Sequence, residues 1–134
     1  MPIVIDPSKD GLEKVLRDYQ IEALRKVWKH DGEGLTSREV YEAVNECLDG
    51  GRSVSRASII NFLNAMCDDD VLDFEEESCK GGMRRRYKKG MDEAAFKTYV
   101  ASTVLRSLMR DFPDQTVAAI RSNLDTKSLK RLHD

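Results

Sequence analysis

The chain has 134 residues, of which 40% are apolar and 34% are charged, and its formal net charge is −2. This composition fits one compact domain, or a small domain with an appended segment, and no apolar run approaches the roughly 20 residues of a membrane-spanning helix. The three cysteines (Cys47, Cys67 and Cys79) include no Cys-x-x-Cys pair, which is typical of reduced thiols in a cytoplasmic protein and argues against a disulfide framework or a zinc site.

The N-terminal third of the chain predicts two helices. A first helix should begin between Gly11 and Asp18 and end at His30, because apolar residues recur there at helical spacing. Thr36 and Glu39 then have the form of a capping box, although Ser37 is an alternative cap for the second helix. Glycines at 50 and 51 close that helix, whose apolar face would comprise Val40, Val44, Cys47 and Leu48.

A third helix is predicted after Ser55, which is a favourable N-cap residue. Its apolar residues follow the helical period and would seat the helix on the core of the domain. These residues are Ile59, Phe62, Leu63 and Met66.

The pattern changes from helical to alternating after residue 70. Two strand-like runs, Val71–Glu77 and Arg84–Lys89, flank a glycine-containing turn and predict an antiparallel hairpin. We place Phe74 opposite Tyr87. One face of the hairpin then pairs Leu72 with Lys89, Phe74 with Tyr87 and Glu76 with Arg85. The other face pairs Asp73 with Lys88, Glu75 with Arg86 and Glu77 with Arg84. Both faces are then complementary, which supports this register.

Beyond Gly90 the sequence predicts helices again. An amphipathic stripe from Phe96 to Leu108 ends near residues 111–113, a shorter helix continues to Leu124, and Leu129 and Leu132 suggest a last turn. We therefore divide the chain into residues 1–90 and a helical region at 91–134. Because the first region already makes a core, the second has apolar surface left for a second copy of the chain. The expected dimerisation residues are Phe96, Tyr99, Val100, Val104, Leu108, Phe112 and Ile120.

The predicted fold class is mostly α with a small antiparallel hairpin, in the order of a winged helix-turn-helix. In that arrangement the third helix enters a major groove of double-stranded DNA and the hairpin reaches the adjacent backbone. Small and amide side chains on the exposed side of the helix could approach base edges, and cationic side chains on the wing could contact phosphates. The candidate DNA-binding residues are Ser55, Arg56, Ser58, Asn61, Asn64, Lys80, Arg84, Arg85 and Arg86.

Three stretches resemble the penicillinase-repressor family of winged-helix regulators, which also includes the methicillin-resistance repressors. They are Ala23–Trp28 with the following Leu35–Val40, then Val54–Ile59, and finally the wing end Arg86-Tyr87 before a long helix. The resemblance spans residues 16 to 125. It implies a homodimeric repressor that binds an inverted-repeat operator and reads it with the start of the third helix, at Ser55, Arg56, Ser58 and Asn61.

A second hypothesis is a winged-helix module that binds other proteins of a transcription or chromatin assembly without touching DNA. The sparse charge of the third helix and the acidic stretch from Asp68 to Glu77 favour it. An enzyme is not predicted, because no Gly-rich phosphate loop and no nucleophile with a nearby base is present. We expect no cofactor and no metal; Asp68-Asp69-Asp70 is interpreted as a solvated helix end because adjacent helical positions diverge.

Overall fold

The computed structural model describes residues 3–48 and 50–124, which form two compact units, Met1–Lys97 and Thr98–Asp134. A short 3-10 turn at Gly11–Lys14 precedes the regular elements. These elements are α1 (Asp18–Lys29), β1 (Leu35–Thr36), α2 (Ser37–Cys47), α3 (Arg56–Asp68), β2 (Leu72–Cys79), β3 (Gly82–Lys89), α4 (Glu93–Asp111) and α5 (Pro113–Asn123).

The core of the first unit lies between α1, α2, α3 and the sheet. Side chains from each helix are fully enclosed there, among them Leu24 of α1, Val44 of α2 and Leu63 of α3. The four predicted core residues of α3 are all buried, the most exposed being Phe62 at 4%. The opposite side of α3 is therefore left facing solvent.

Both predicted helix caps are present. Thr36 Oγ1 accepts a hydrogen bond from the Glu39 N–H at 3.2 Å, and Glu39 Oε1 accepts from the Thr36 N–H at 3.0 Å. That backbone hydrogen bond from Thr36 is the main reason why the pKa of Glu39 lies below its ordinary value. Ser55 caps α3 by accepting from the Ser58 N–H at 3.1 Å. These bonds satisfy amides that the first turn of a helix leaves without a partner.

The sheet has three antiparallel strands in the order β1-β3-β2. Phe74 lies opposite Tyr87, and the complete register of the hairpin is the one predicted from its alternating pattern. The hairpin strands extend to Cys79 and from Gly82, leaving Lys80 and Gly81 in a tight turn. The short strand β1 was not predicted, because two residues are too few to show a period.

Gly34 permits the approach of β1 to β3. Its φ is +96°, and a Cβ at this position would stand 2.7 Å from the carbonyl oxygen of Tyr87. A side chain would therefore be strained by the backbone conformation and would also collide with the neighbouring strand. The glycine fixes the spacing between β1 and the middle strand.

The C-terminal helices agree with the predicted pattern. Helix α4 ends at Asp111, and Pro113 occupies the first turn of α5, where a missing N–H costs nothing. Leu129 and Leu132 lie outside the described residues.

The expected apolar face of α2 is buried only in part, because Cys47 in its last turn is exposed.

The order of elements in the first unit is that of a winged helix-turn-helix, with β2 and β3 as the wing. The predicted fold class, mostly α with a small antiparallel sheet, is confirmed.

Substitutions on the buried side and on the exposed side of α3 should differ in their effect on the free energy of unfolding. Leu63→Ala should lower the free energy of unfolding by about 2–5 kcal/mol, because it removes a fully enclosed side chain and leaves a cavity. Asn61→Ala on the exposed side should change it by no more than about 0.5 kcal/mol. Urea unfolding of both variants measures this difference; equal destabilisation would contradict the orientation of the helix.

Candidate nucleic-acid interface

The solvent-facing side of α3 carries polar and small residues. Arg56, Ala57 and Asn61 are exposed, whereas Ile60 and Asn64 are half-buried at the edge nearest the wing. Within the part of the chain that the structure describes, the Asn61 side chain makes no hydrogen bond. Its carbonyl and amino groups are both available, so Asn61 could make the bidentate pair that asparagine forms with adenine.

The two serines at the start of α3 are engaged locally. Besides capping the helix, Ser55 donates its hydroxyl to Ser58 Oγ at 2.8 Å. Ser58 is half-buried and lines a cleft of about 500 Å³ together with Arg17 and Tyr19. Ser55 therefore serves the helix N-terminus, and Ser58 faces α1 rather than the centre of the exposed side.

The two ends of α3 differ in charge. Arg56 stands in the first turn, where the helix dipole is also positive, whereas Asp68, Asp69 and Asp70 end the helix. An anion would therefore be attracted to the beginning of α3 and repelled from its end.

No group of three or more acidic, cysteine or histidine side chains in residues 3–48 and 50–124 is placed to hold a metal ion.

Two of the four predicted wing cations, Arg84 and Arg86, form ion pairs with the facing strand, as does Lys88. Arg84 lies 2.5 Å and Arg86 2.7 Å from Glu77, and Lys88 pairs with Glu75 rather than with Asp73, its neighbour in the register. The hydrogen bonds from Arg86, followed by those from Arg84, lower the pKa of Glu77. These pairs partly neutralise the positive charge of the wing.

Arg86 is a structural residue in this arrangement. Its guanidinium also donates to the Gly34 carbonyl at 3.1 Å and lies 3.3 Å from Glu39, and its side chain is only 22% exposed. It joins β3 to β1 and to the start of α2. We therefore leave Arg86 out of the surface proposed below.

The cations near the tip of the wing are held less firmly than Arg86. Lys80 is exposed in the turn and has no ion pair among the described residues. Arg84 is 48% exposed on its strand, paired with one carboxylate. Lys80 and Arg84 are thus the wing residues best able to reach a phosphate.

Arg85 and Asn64 join the wing to α3. The Arg85 guanidinium lies 3.9 Å from the centre of the Phe74 ring, a cation–π contact, and donates to Asn64 Oδ1 at 3.1 Å. Tyr87 Oη donates to the same oxygen at 2.6 Å. Burial raises the pKa of Tyr87, which keeps its hydroxyl protonated and able to donate. A cleft of about 350 Å³ lies beside this cluster, between α3 and the wing.

Two arginines near the start of α3 were not among the predicted site residues. Arg17, before α1, and Arg52, before α3, line the same cleft as Ser55. Arg52 forms an ion pair with Asp18. Because residues 17 and 52 are far apart in sequence, only the packing of α1 beside α3 brings them together.

The second unit contains an apolar groove between the end of α4 and α5. The groove has a volume of about 330 Å³, and Leu105, Leu108 and Phe112 form part of its lining; these three side chains are exposed by 37–48%. Of the predicted dimerisation residues, Tyr99, Val100, Val104 and Ile120 are half-buried. Leu105 was not predicted because it lies outside the helical stripe.

Phe96 does not belong to this apolar surface. It is 3% exposed and packs on Trp28, with 5.8 Å between the ring centres. The first unit therefore uses Phe96 to cover its own core, so a second copy of the chain cannot contact it in this conformation.

Among the described residues, none of the helices combines the length and the apolar character that crossing a lipid bilayer requires.

The chain is similar in structure to a known protein. No protein-family profile and no curated protein sequence matches the chain. The solved structure of a proposed transcriptional regulator from Thermoplasma acidophilum is similar over 80% of this chain and 91% of its own, with 17% identity and a TM-score of 0.47.

The ion pairs of the wing should make stability depend on pH. Because the pKa of Glu77 is lowered on folding, its stabilising contribution is present above the ordinary value of 4.5 and is lost as the pH falls through the lower folded value. Glu77→Gln should therefore destabilise the protein at neutral pH and leave less stability to lose on acidification.

Urea unfolding of the wild type and of Glu77→Gln at pH 7 and at about pH 3 measures this loss. Arg84→Gln, which removes one of the two arginine partners, should give an intermediate result. Identical losses in the wild type and Glu77→Gln would show that Glu77 is not held by the arginines in solution.

Proposed function

We propose that this protein is a homodimeric, sequence-specific DNA-binding regulator of transcription, and that it acts as a repressor on an inverted-repeat operator. The observation that carries the proposal is the exposed side of α3, where Arg56, Asn61 and Asn64 are held beside a wing with a cationic tip. A helix of this kind fits a major groove about 12 Å wide.

The charge distribution determines which end of α3 would enter the groove. Phosphates on both sides of the groove would meet Arg56 and the positive end of the helix dipole, and would be repelled by the three aspartates at the other end. Base contacts would then be made from the first residues of α3 to Asn64. This matches the use of N-terminal recognition-helix residues in helix-turn-helix proteins.

The wing would contribute phosphate contacts from its tip. Lys80 needs to break no ion pair, and Arg84 has only an exposed pair to exchange, a kind of interaction typically worth about 0–1 kcal/mol. A phosphate could therefore displace Glu77 from Arg84 at little cost. Arg86, which has three acceptors within the protein, would keep these interactions when DNA binds.

Dimerisation would use the apolar groove of the second unit and the half-buried residues near it. Leu108 and Phe112 are large apolar side chains that solvent reaches in the single chain, and a second copy could cover them. A two-fold dimer would require operator half-sites one helical turn apart, about 10 base pairs, or a multiple of that spacing.

The order of elements and the Trp28-bearing first helix support a place beside the penicillinase-repressor family. The free thiols of the described cysteines fit a cytoplasmic protein.

The alternative is a winged-helix module that binds protein partners. The ion pairing of Arg84, Arg86 and Lys88 supports it, since it reduces the positive charge of the wing, which stands beside an acidic helix end. Such a module would bind duplex DNA weakly and would tolerate loss of the unpaired cations.

Removing an unpaired cation should weaken DNA binding and its dependence on salt. For the wild type, log K should fall with log salt at a slope of about −0.9 for each phosphate contact. Lys80→Ala and Arg56→Ala should each reduce the slope by about one contact. Lys29→Ala, which removes an exposed cation at the end of α1, is the matched control and should leave the slope unchanged.

Fluorescence anisotropy with a labelled duplex at several salt concentrations measures both quantities. Absence of binding at low salt, or equal effects of all three substitutions, would favour the protein-binding alternative.

Charged substitutions in the apolar groove should disrupt the dimer. A Leu108→Glu, Phe112→Glu double variant should sediment as a single chain at concentrations where the wild type sediments as a dimer, because the carboxylates would have to be buried. Met83→Glu is the control, since Met83 is 60% exposed on the wing. A wild type that is a single chain at every concentration would contradict the dimer.

A further inference from the structure

The orientation of the Asn64 side-chain amide is determined by its neighbours. Arg85 Nη1 and Tyr87 Oη both contact the same terminal atom, at 3.1 Å and 2.6 Å. An arginine side chain has only donors, so the atom that faces it must be the carbonyl oxygen and not the amino nitrogen. The amide therefore cannot be turned by 180° without placing two donors against each other.

This orientation uses the full accepting capacity of Asn64. A carbonyl oxygen has two lone pairs, and Arg85 and Tyr87 each occupy one. The amino nitrogen has no hydrogen-bond partner among the described residues and is not one of their enclosed, unpartnered atoms. Asn64 thus offers two N–H donors to the cleft between α3 and the wing and no acceptor.

Asn61 and Asn64 therefore differ in what they can bind, although they lie one turn apart on the same helix. Pairing with adenine requires an asparagine to accept from the adenine amino group and donate to N7. Asn61 has both functions available. Asn64 has already committed its carbonyl oxygen within the protein.

The geometry points to Asn64 as a donor-only specificity residue that selects a base with acceptors on its major-groove edge, guanine above all, with Arg85 and Tyr87 as the residues that position it. Guanine presents O6 and N7 there, whereas cytosine presents an amino donor. This inference rests on the proposed function. It adds that the two asparagines read different bases and that the wing sets the preference of the second one.

A base contact is favoured over a phosphate contact by what surrounds the amide. Arg56 and Arg84 line the same cleft together with Glu76, and Asp68 lies one turn further along α3. A phosphate would be held by the charged arginines rather than by a neutral amide, which leaves the Asn64 donors for a base edge.

The test compares base preference in the whole 134-residue chain. Duplexes bound by the wild type are selected from a random pool, and four duplexes that differ only at the base pair affected by Asn64 are then compared in competition. Asn64→Asp retains an acceptor for Arg85 and Tyr87 but removes the donor, so the wild-type preference for guanine, expected to be about tenfold or more, should be lost. Since the new charge weakens binding to every duplex, the readout is the ratio among the four bases.

Tyr87→Phe tests the positioning role with the aromatic ring retained. The variant leaves Arg85 as the one remaining donor to Asn64 Oδ1, so the amide is held less firmly and the guanine-to-adenine ratio should fall at least about threefold. Asn61→Asp is the matched control, because it should alter a different base pair and leave this one unchanged.

The outcomes separate the inference from the function on which it rests. A wild type that accepts adenine as well as guanine at that base pair would overturn the inference, as would variants that lower affinity equally for all four duplexes. If the wild type binds no duplex even at low salt, the proposed function itself fails, and the inference with it.

Discussion

The DNA-binding geometry proposed here depends on one buried side chain in the middle strand of the sheet. Tyr87 is 3% exposed, lies opposite Leu35 on β1 and Phe74 on β2, and reaches Asn64 on α3 through its hydroxyl. A hairpin of two strands is only marginally stable by itself. Because Tyr87 ties the hairpin to a third strand and to a helix, wing and helix form one surface with a defined cleft between them.

Charge is compensated unequally along the wing, and that inequality separates structural cations from available ones. Arg86 has three acceptors, on β2, on α2 and in the loop before β1, and its side chain is only 22% exposed, whereas Arg84 has one partner and Lys80 has none among the described residues. Exposed pairs contribute little and exchange readily. The glutamates of β2 therefore neutralise cations along the strands and leave Lys80 at the tip without an ion pair among the described residues.

Helix α4 has two different apolar surfaces. Phe96, near its start, covers the core of the first unit by packing on Trp28. Leu105 and Leu108, near its end, face a groove within the second unit. A single dimerisation stripe from Phe96 to Leu108 therefore does not describe this helix.

The sequence by itself determined the helices, the hairpin and the hairpin register of this protein, because helical and alternating periods, caps and turns are local properties; the two-residue strand β1 is too short to show such a period. Ser55, Thr36 with Glu39, and the pairing of Phe74 with Tyr87 are features of that kind. Only the tertiary structure decided which predicted site residues are available. Arg86 is held by Gly34 and Glu39, Asn64 by Arg85 and Tyr87, and Phe96 by Trp28, and every one of these partners lies at least 20 residues away. A side chain's free hydrogen-bonding capacity depends on such distant neighbours, which no local pattern in the sequence specifies.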